Sequence, residues 1–155
     1  MTCIGLTLNE TKTKLRAART ERFDFLGYTF GPYWGRRTGK RYIGAGPSQK
    51  SRSRLKGKVH DMTEPGNMQP WTDVRDQLNS MLEGWQGYFS YGTLKEVYSD
   101  VNWYVANRVR HFLRRRHKVR SRGSRLYSTE RIFGDREVVR LGRKPKRDGA
   151  PHAYA

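Results

Sequence analysis

Two rows of cations carry the clearest chemical signal in the chain. Lys50, Arg54 and Lys58 recur every four residues, and so do Arg110, Arg114 and Lys118, with Arg120 close behind. On an α-helix this spacing lines the charges up on one face, about 6 Å apart per step. Such a row suits charge-assisted contact with successive phosphates. Arg is favoured over Lys in and after the second row, which fits bidentate phosphate binding and base stacking. Tyr33, Trp34, Tyr42, Trp103 and Tyr127 lie amid these cations and could stack on unpaired bases. The same residues have plainer uses. A charge run also makes a solvated face, and each aromatic taken alone serves packing equally well.

The remaining reactive side chains form no catalytic set. The stretch from Gly35 to Arg41 is one residue short of phosphate-loop spacing, and no Ser or Thr follows Lys40, so it reads as a hairpin loop. Gly84-Trp85-Gln86-Gly87 has the pattern of a GXXG nucleic-acid loop but sits inside the best helical pattern of the chain. His60, His111, His117 and His152 lack metal-ligand spacing. The acidic pairs Asp73/Asp76 and Glu96/Asp100 fall at helix starts, where the dipole favours them. No catalytic residue, metal ligand or cofactor site is expected.

Composition supports a polyanionic partner. The chain has 155 residues with 32 Lys and Arg against 14 Asp and Glu, a formal charge of +18. Only 35% of residues are hydrophobic, yet 12% are aromatic, more than a disordered basic tail carries. Residues 31–60 hold nine basic and no acidic side chains, 61–100 hold two and seven, and 101–155 hold sixteen and four. Two basic blocks thus flank an acidic one, which solubility alone does not require. Nucleic acid is the leading partner class, ahead of an anionic membrane surface. No apolar run is long enough to span a bilayer, and none follows a basic start as in a secretory signal. With Cys3 the single cysteine, a disulfide framework is excluded and a reducing, cytoplasmic location is expected.

These residues need elements to position them. Residues 4–8 alternate as a short strand, and 23–30 read as a second strand with a close approach or bulge at Gly27. Residues 31–40 read as a loop and 41–44 as the returning strand of a hairpin. Pro47-Ser48 opens a first helix, with Ser48 as N-cap and Leu55, Val59 and Met62 as its apolar stripe; Glu64-Pro65-Gly66 stops it. A second helix is expected from Trp71 to Phe89 and a third from Leu94 to Arg120. The third has Val97, Val101, Tyr104, Val105, Val109, Phe112 and Leu113 on one half, with Arg110, Arg114, Lys118 and Trp103 on the other. Residues 121–155 read as irregular structure and a mobile tail. The expected fold class is mainly α with a small N-terminal β-hairpin. A three-helix, thumb-like bundle follows, and then a basic, partly irregular C-terminal region.

Several motifs resemble one family. Gly5-Leu6-Thr7-Leu8-Asn9 with Lys12-Thr13-Lys14, then Phe23-Asp24-Phe25-Leu26-Gly27-Tyr28, is similar to the end of the reverse transcriptase region of group II intron-encoded proteins. Pro47-Ser48 and the basic helix resemble the start of the thumb. Leu78-Asn79 through Gly84-Trp85-Gln86-Gly87-Tyr88-Phe89 resembles the signature of the maturase-specific domain, domain X, and Arg108 to Lys118 the basic helix after it. The resemblance runs over residues 4–120, and less closely over 121–140. It implies a palm remnant at 1–46, a thumb and maturase-specific helical domain at 47–120, and distal domain X with a basic tail at 121–155.

The resemblance implies group II intron RNA, or another structured RNA, as partner, with Lys50, Arg54, Lys58, Trp103, Arg110, Arg114, Lys118 and Arg120 as RNA-binding residues. This sequence departs from the family in lacking the Tyr-x-Asp-Asp of the polymerase site; it has no Asp-Asp pair at all. Phosphoryl transfer of that kind uses carboxylates to hold two Mg²⁺ ions. The expectation is therefore an RNA-binding maturase fragment without polymerase activity of its own. Alternatives are the C-terminal half of a split reverse transcriptase acting with a separate catalytic chain, a generic nucleic-acid-binding protein, and a non-functional gene remnant.

Overall fold

The structure is a computed structural model that describes residues 17–35 and 38–142. The strand expected at residues 4–8 and the tail beyond residue 142 lie outside those residues. Three antiparallel strands come first: β1 (Phe23–Phe25), β2 (Tyr28–Trp34) and β3 (Arg41–Pro47), in that spatial order. Four helices follow: α1 (Gln49–Met62), α2 (Trp71–Tyr88), α3 (Lys95–Arg116) and the short α4 (Thr129–Phe133). The chain is mainly helical with a small N-terminal sheet.

The sheet differs in detail from its sequence reading. Residues 23–30 are two strands, not one, because Leu26 and Gly27 both take positive φ, 47° and 80°. Two successive positive φ values reverse the chain in a two-residue hairpin turn. The turn is locked onto α1: the Gly27 carbonyl accepts from the Ser48 amide at 2.8 Å and the Ser51 hydroxyl at 3.0 Å. A Cβ on Gly27 would lie 3.0 Å from Ser51 Oγ and 3.3 Å from the Phe89 ring. β2 also runs on through Gly31 and Pro32, where a loop was expected. β1 pairs with β2 only as far as Phe30. Beyond that point β2 has no strand partner on that side among the described residues, and a proline is tolerated there. Arg22 reaches the Pro32 carbonyl on that side, at 3.4 Å.

The helices follow their apolar periodicity. Ser48 caps α1 by accepting from the Ser51 amide, as its residue type and position predict. Leu55 and Val59 of α1, Val74, Leu78 and Leu82 of α2, and Val101, Val105, Val109, Phe112 and Leu113 of α3 make the core. α3 ends at Arg116, short of the expected Arg120; Lys118 lies beyond it with a φ of 49°.

Residues 121–142 are partly irregular as expected, and they pack into the fold: Tyr127, Ile132, Val138 and Leu141 are buried in the same core as the three long helices. Ser128 caps α4. The stretch from Glu137 to Gly142 then lies against α2 and α3, held by side-chain amides. Asn79 donates to the Glu137 carbonyl and accepts from the Val139 amide, both at 2.8 Å. Asn102 donates to the Leu141 carbonyl at 3.0 Å and accepts from its amide at 2.9 Å. Gln86 accepts from the Gly142 amide at 2.8 Å. An irregular segment thus has five of its backbone groups paired by three side-chain amides.

Candidate nucleic-acid interface

The first cationic row forms as expected. Lys50, Arg54 and Lys58 are exposed on α1. Arg54 and Lys58 stand over a cleft of about 530 Å³ between the β1–β2 turn, α1 and α2, floored by Met81, Trp85 and Phe89. Gly84 also lines it, and a Cβ there would meet nothing within 4 Å.

The other flank of α1 is committed to α3. Lys56 bridges Asp100 at 2.9 Å and lies 5.3 Å from the Tyr104 ring centre. Arg108 closes the end of α1, its guanidinium donating to Thr63 Oγ1 at 3.2 Å and to the carbonyls of His60 and Thr63. Those carbonyls are among the orphan acceptors of a helix C-terminus, which favours a cation. Sequence spacing does not separate Arg108 from its exposed neighbours; its role follows only from α1 packing across α3.

The second row is less uniform than the first. Arg110 is half-buried and its donors are occupied: Nε bonds the Tyr127 carbonyl at 2.8 Å, Nη1 bonds Asn107 Oδ1 at 2.6 Å, and Nη2 bonds Thr129 Oγ1 at 3.3 Å. It ties α3 to the segment that follows. Arg114 is half-buried, with its stem near Gly123. Lys118 and Arg120 are exposed but lie past the end of α3, so the helical spacing no longer places them. Trp103 is 69% exposed on α3, and its carbonyl accepts from Asn107. Of the other aromatics, Tyr127 is buried and stacks on His117, while Trp34 and Tyr42 are exposed on the sheet.

The two rows point in opposite directions. On α1, Arg54 is turned about 200° from Lys56, which faces α3. On α3, Arg110 is turned by the same amount from Arg108, which faces α1. The α1 row is thus exposed on the side away from α3, whereas Arg110 on the far side of α3 is turned toward the Tyr127–Thr129 segment. Between the rows, His111 is exposed among cations. Its pKa is lowered, first by partial burial and then by Arg114, Arg108, Arg110 and Arg115.

Among the described residues, no group of three or more His, Cys, Asp or Glu side chains could hold a metal ion, and no helix is long and apolar enough to cross a membrane. A search of curated proteins finds no match. The family model of the group II intron maturase-specific domain matches residues 52–129, half of the chain. The matched stretch runs from the first turn of α1 to the start of α4; it begins two residues after Lys50 and takes in Arg54, Lys58, the second cationic set and the Leu78–Phe89 signature. The chain belongs to the group II intron maturase-specific domain family.

Proposed function

We propose that this chain binds group II intron RNA and stabilises its folded form for splicing, while the RNA performs the chemistry. The observation that carries this reading is the exposed row Lys50, Arg54 and Lys58 on α1, together with the exposed Lys118 and Arg120 just past α3, in a chain whose residues 52–129 match the maturase-specific domain. Lys50, Arg54 and Lys58 supply one set of phosphate contacts. Arg114, Lys118 and Arg120 supply the other, with Trp103 as a stacking surface and Arg110 holding the second set in place. On this reading residues 1–46 correspond to the end of a reverse transcriptase palm, 47–120 to the thumb and maturase-specific helices, and 121–155 to the distal domain. These residues hold no Asp-Asp pair, so polymerase chemistry is assigned outside them. The chain would then work beside its RNA, in the cytoplasm.

A splicing assay on the neighbouring intron at low Mg²⁺ tests the reading. Splicing is expected to depend on the chain there and to become independent of it at high Mg²⁺. Equal splicing with and without the chain at every Mg²⁺ concentration would contradict it. A second reading, the C-terminal half of a split reverse transcriptase, draws on the β1–β2 turn. Phe25 and Leu26 are 59% and 69% exposed, and among the described residues β1 is an edge strand. A catalytic chain would cover that edge, and co-purification of a chain carrying Tyr-x-Asp-Asp would favour this reading.

A further inference from the structure

The tip of the β2–β3 hairpin exposes a flat apolar surface that the helical rows do not account for. Trp34 is 58% exposed and Ile43 53% exposed. The register pairs Trp34 with Arg41 and Pro32 with Ile43, so all four share one face of the sheet. The Arg41 guanidinium lies 5.7 Å from the Trp34 ring centre and also donates to the Arg19 carbonyl. Beside them Arg19, Pro32, Arg41, Tyr42 and Ile43 line a hollow of about 420 Å³. That is within the size range of small-ligand pockets.

The chemistry of this face selects its occupant. A broad indole and a branched aliphatic side chain offer a planar platform. Two arginines at its border offer bidentate donors for phosphate and a guanidinium plane for stacking. The hairpin belongs to residues 31–60, which carry nine basic and no acidic side chains. An aromatic and arginine-rich surface suits a strand whose bases are free and whose backbone is anionic. A duplex keeps its bases stacked inside and cannot use the indole face.

We infer that the Trp34–Ile43 face of the hairpin binds an unpaired stretch of RNA, with a base on Trp34 and phosphates at Arg19 and Arg41. The inference rests on the RNA-binding reading above and adds to it a single-strand subsite separate from the helical rows.

The test is ¹⁹F NMR of the full chain labelled with 5-fluorotryptophan, its four resonances assigned by single Trp→Phe variants. An eight-nucleotide RNA without self-complementarity is titrated against an RNA duplex of equal charge. The Trp34 signal is expected to move with the single strand only, while Trp71 and Trp85, packed against the core, stay put. Trp34→Ala is expected to weaken single-strand binding by about tenfold and leave duplex binding unchanged. Trp34→Phe, which keeps a ring, should lose far less. Because Trp34 is exposed, both variants should keep the wild-type circular dichroism. Single-strand binding that leaves the Trp34 signal still and survives Trp34→Ala overturns the inference but spares the wider reading. A wild-type chain that binds neither RNA overturns both. Movement of the Trp34 signal with anionic phospholipid vesicles, and not with RNA, overturns the choice of occupant.

Discussion

Arg54 and Arg110 carry the same charge on neighbouring helices, yet their surroundings assign them different work. Arg54 is exposed at the rim of a cleft, whereas Arg110 spends its donors on Tyr127, Asn107 and Thr129. Arg54→Ala is expected to leave thermal stability within about 0.5 kcal/mol while weakening RNA binding. Arg110→Ala is expected to destabilise the fold by about 1–2 kcal/mol, since it leaves the half-buried Tyr127 carbonyl without its donor. Urea unfolding of the two variants separates the roles; equal stability losses would contradict the assignment. His111 gives a pH test at the same scale. Its native pKa lies below the ordinary value near 6.5, so below that value the unfolded chain binds the proton more readily than the native one. Stability is therefore expected to fall as the pH drops through that range. Phosphates docked near Arg114 and Arg115 would remove the repulsion and raise the His111 pKa. An NMR titration of the His111 ring with and without RNA should show that rise, and an unchanged midpoint would place the RNA elsewhere.

Among the elements, the segment 137–142 shows where sequence pattern stops being informative. Helices α1, α2 and α3 were legible because a 3.6-residue apolar period reports burial directly, and Ser48 announced its own cap. Glu137 to Gly142 has no period and no regular backbone bonds. Its partners, Asn79, Gln86 and Asn102, are ordinary polar residues of helices until the fold brings the segment to them. The same is true of Arg110, two of whose three bonding partners lie 17 and 19 residues further along the chain. The hairpin split at Leu26-Gly27 was missed for a related reason, as leucine gives no hint of a positive φ. Two substitutions test these elements. Asn102→Ala would leave the Leu141 amide and carbonyl unpaired in the core, at a cost of about 2 kcal/mol, and should speed amide exchange at Leu141 before global unfolding. Gly92 has a φ of 99°, and a Cβ there would lie 2.1 Å from the Ala45 carbonyl oxygen. Gly92→Ala is expected to disturb the junction of β3 with the α2–α3 connection, lowering the melting temperature and displacing the Ala45 and Thr93 resonances. A wild-type melting curve for either variant would contradict the packing described.

At the scale of the whole molecule, the charge of +18 includes an exposed row on the side of α1 away from α3 and a second set, Arg114 on the side of α3 away from α1 with Lys118 and Arg120 past its end; the acidic residues are concentrated between the two basic blocks in sequence. One RNA helix cannot lie along both rows at once, so the arrangement fits a folded RNA that embraces the helical body, or two separate segments. Because the rows share no residues and are well separated, their contributions to binding should add. The free-energy losses of Lys50/Arg54/Lys58→Ala and of Lys118/Arg120→Ala are expected to sum in the combined variant. A large deviation from additivity would mean that the two rows serve one site. The central claim is that these exposed cations neutralise RNA phosphates. It is tested most directly by the dependence of RNA affinity on salt, measured for the wild-type chain and for Lys50/Arg54/Lys58→Ala. The account predicts a steep log–log decline that becomes shallower by about two in the variant, each lost phosphate contact removing about 0.7–0.9 from the slope. A flat wild-type plot, or the same slope in both proteins, would contradict it.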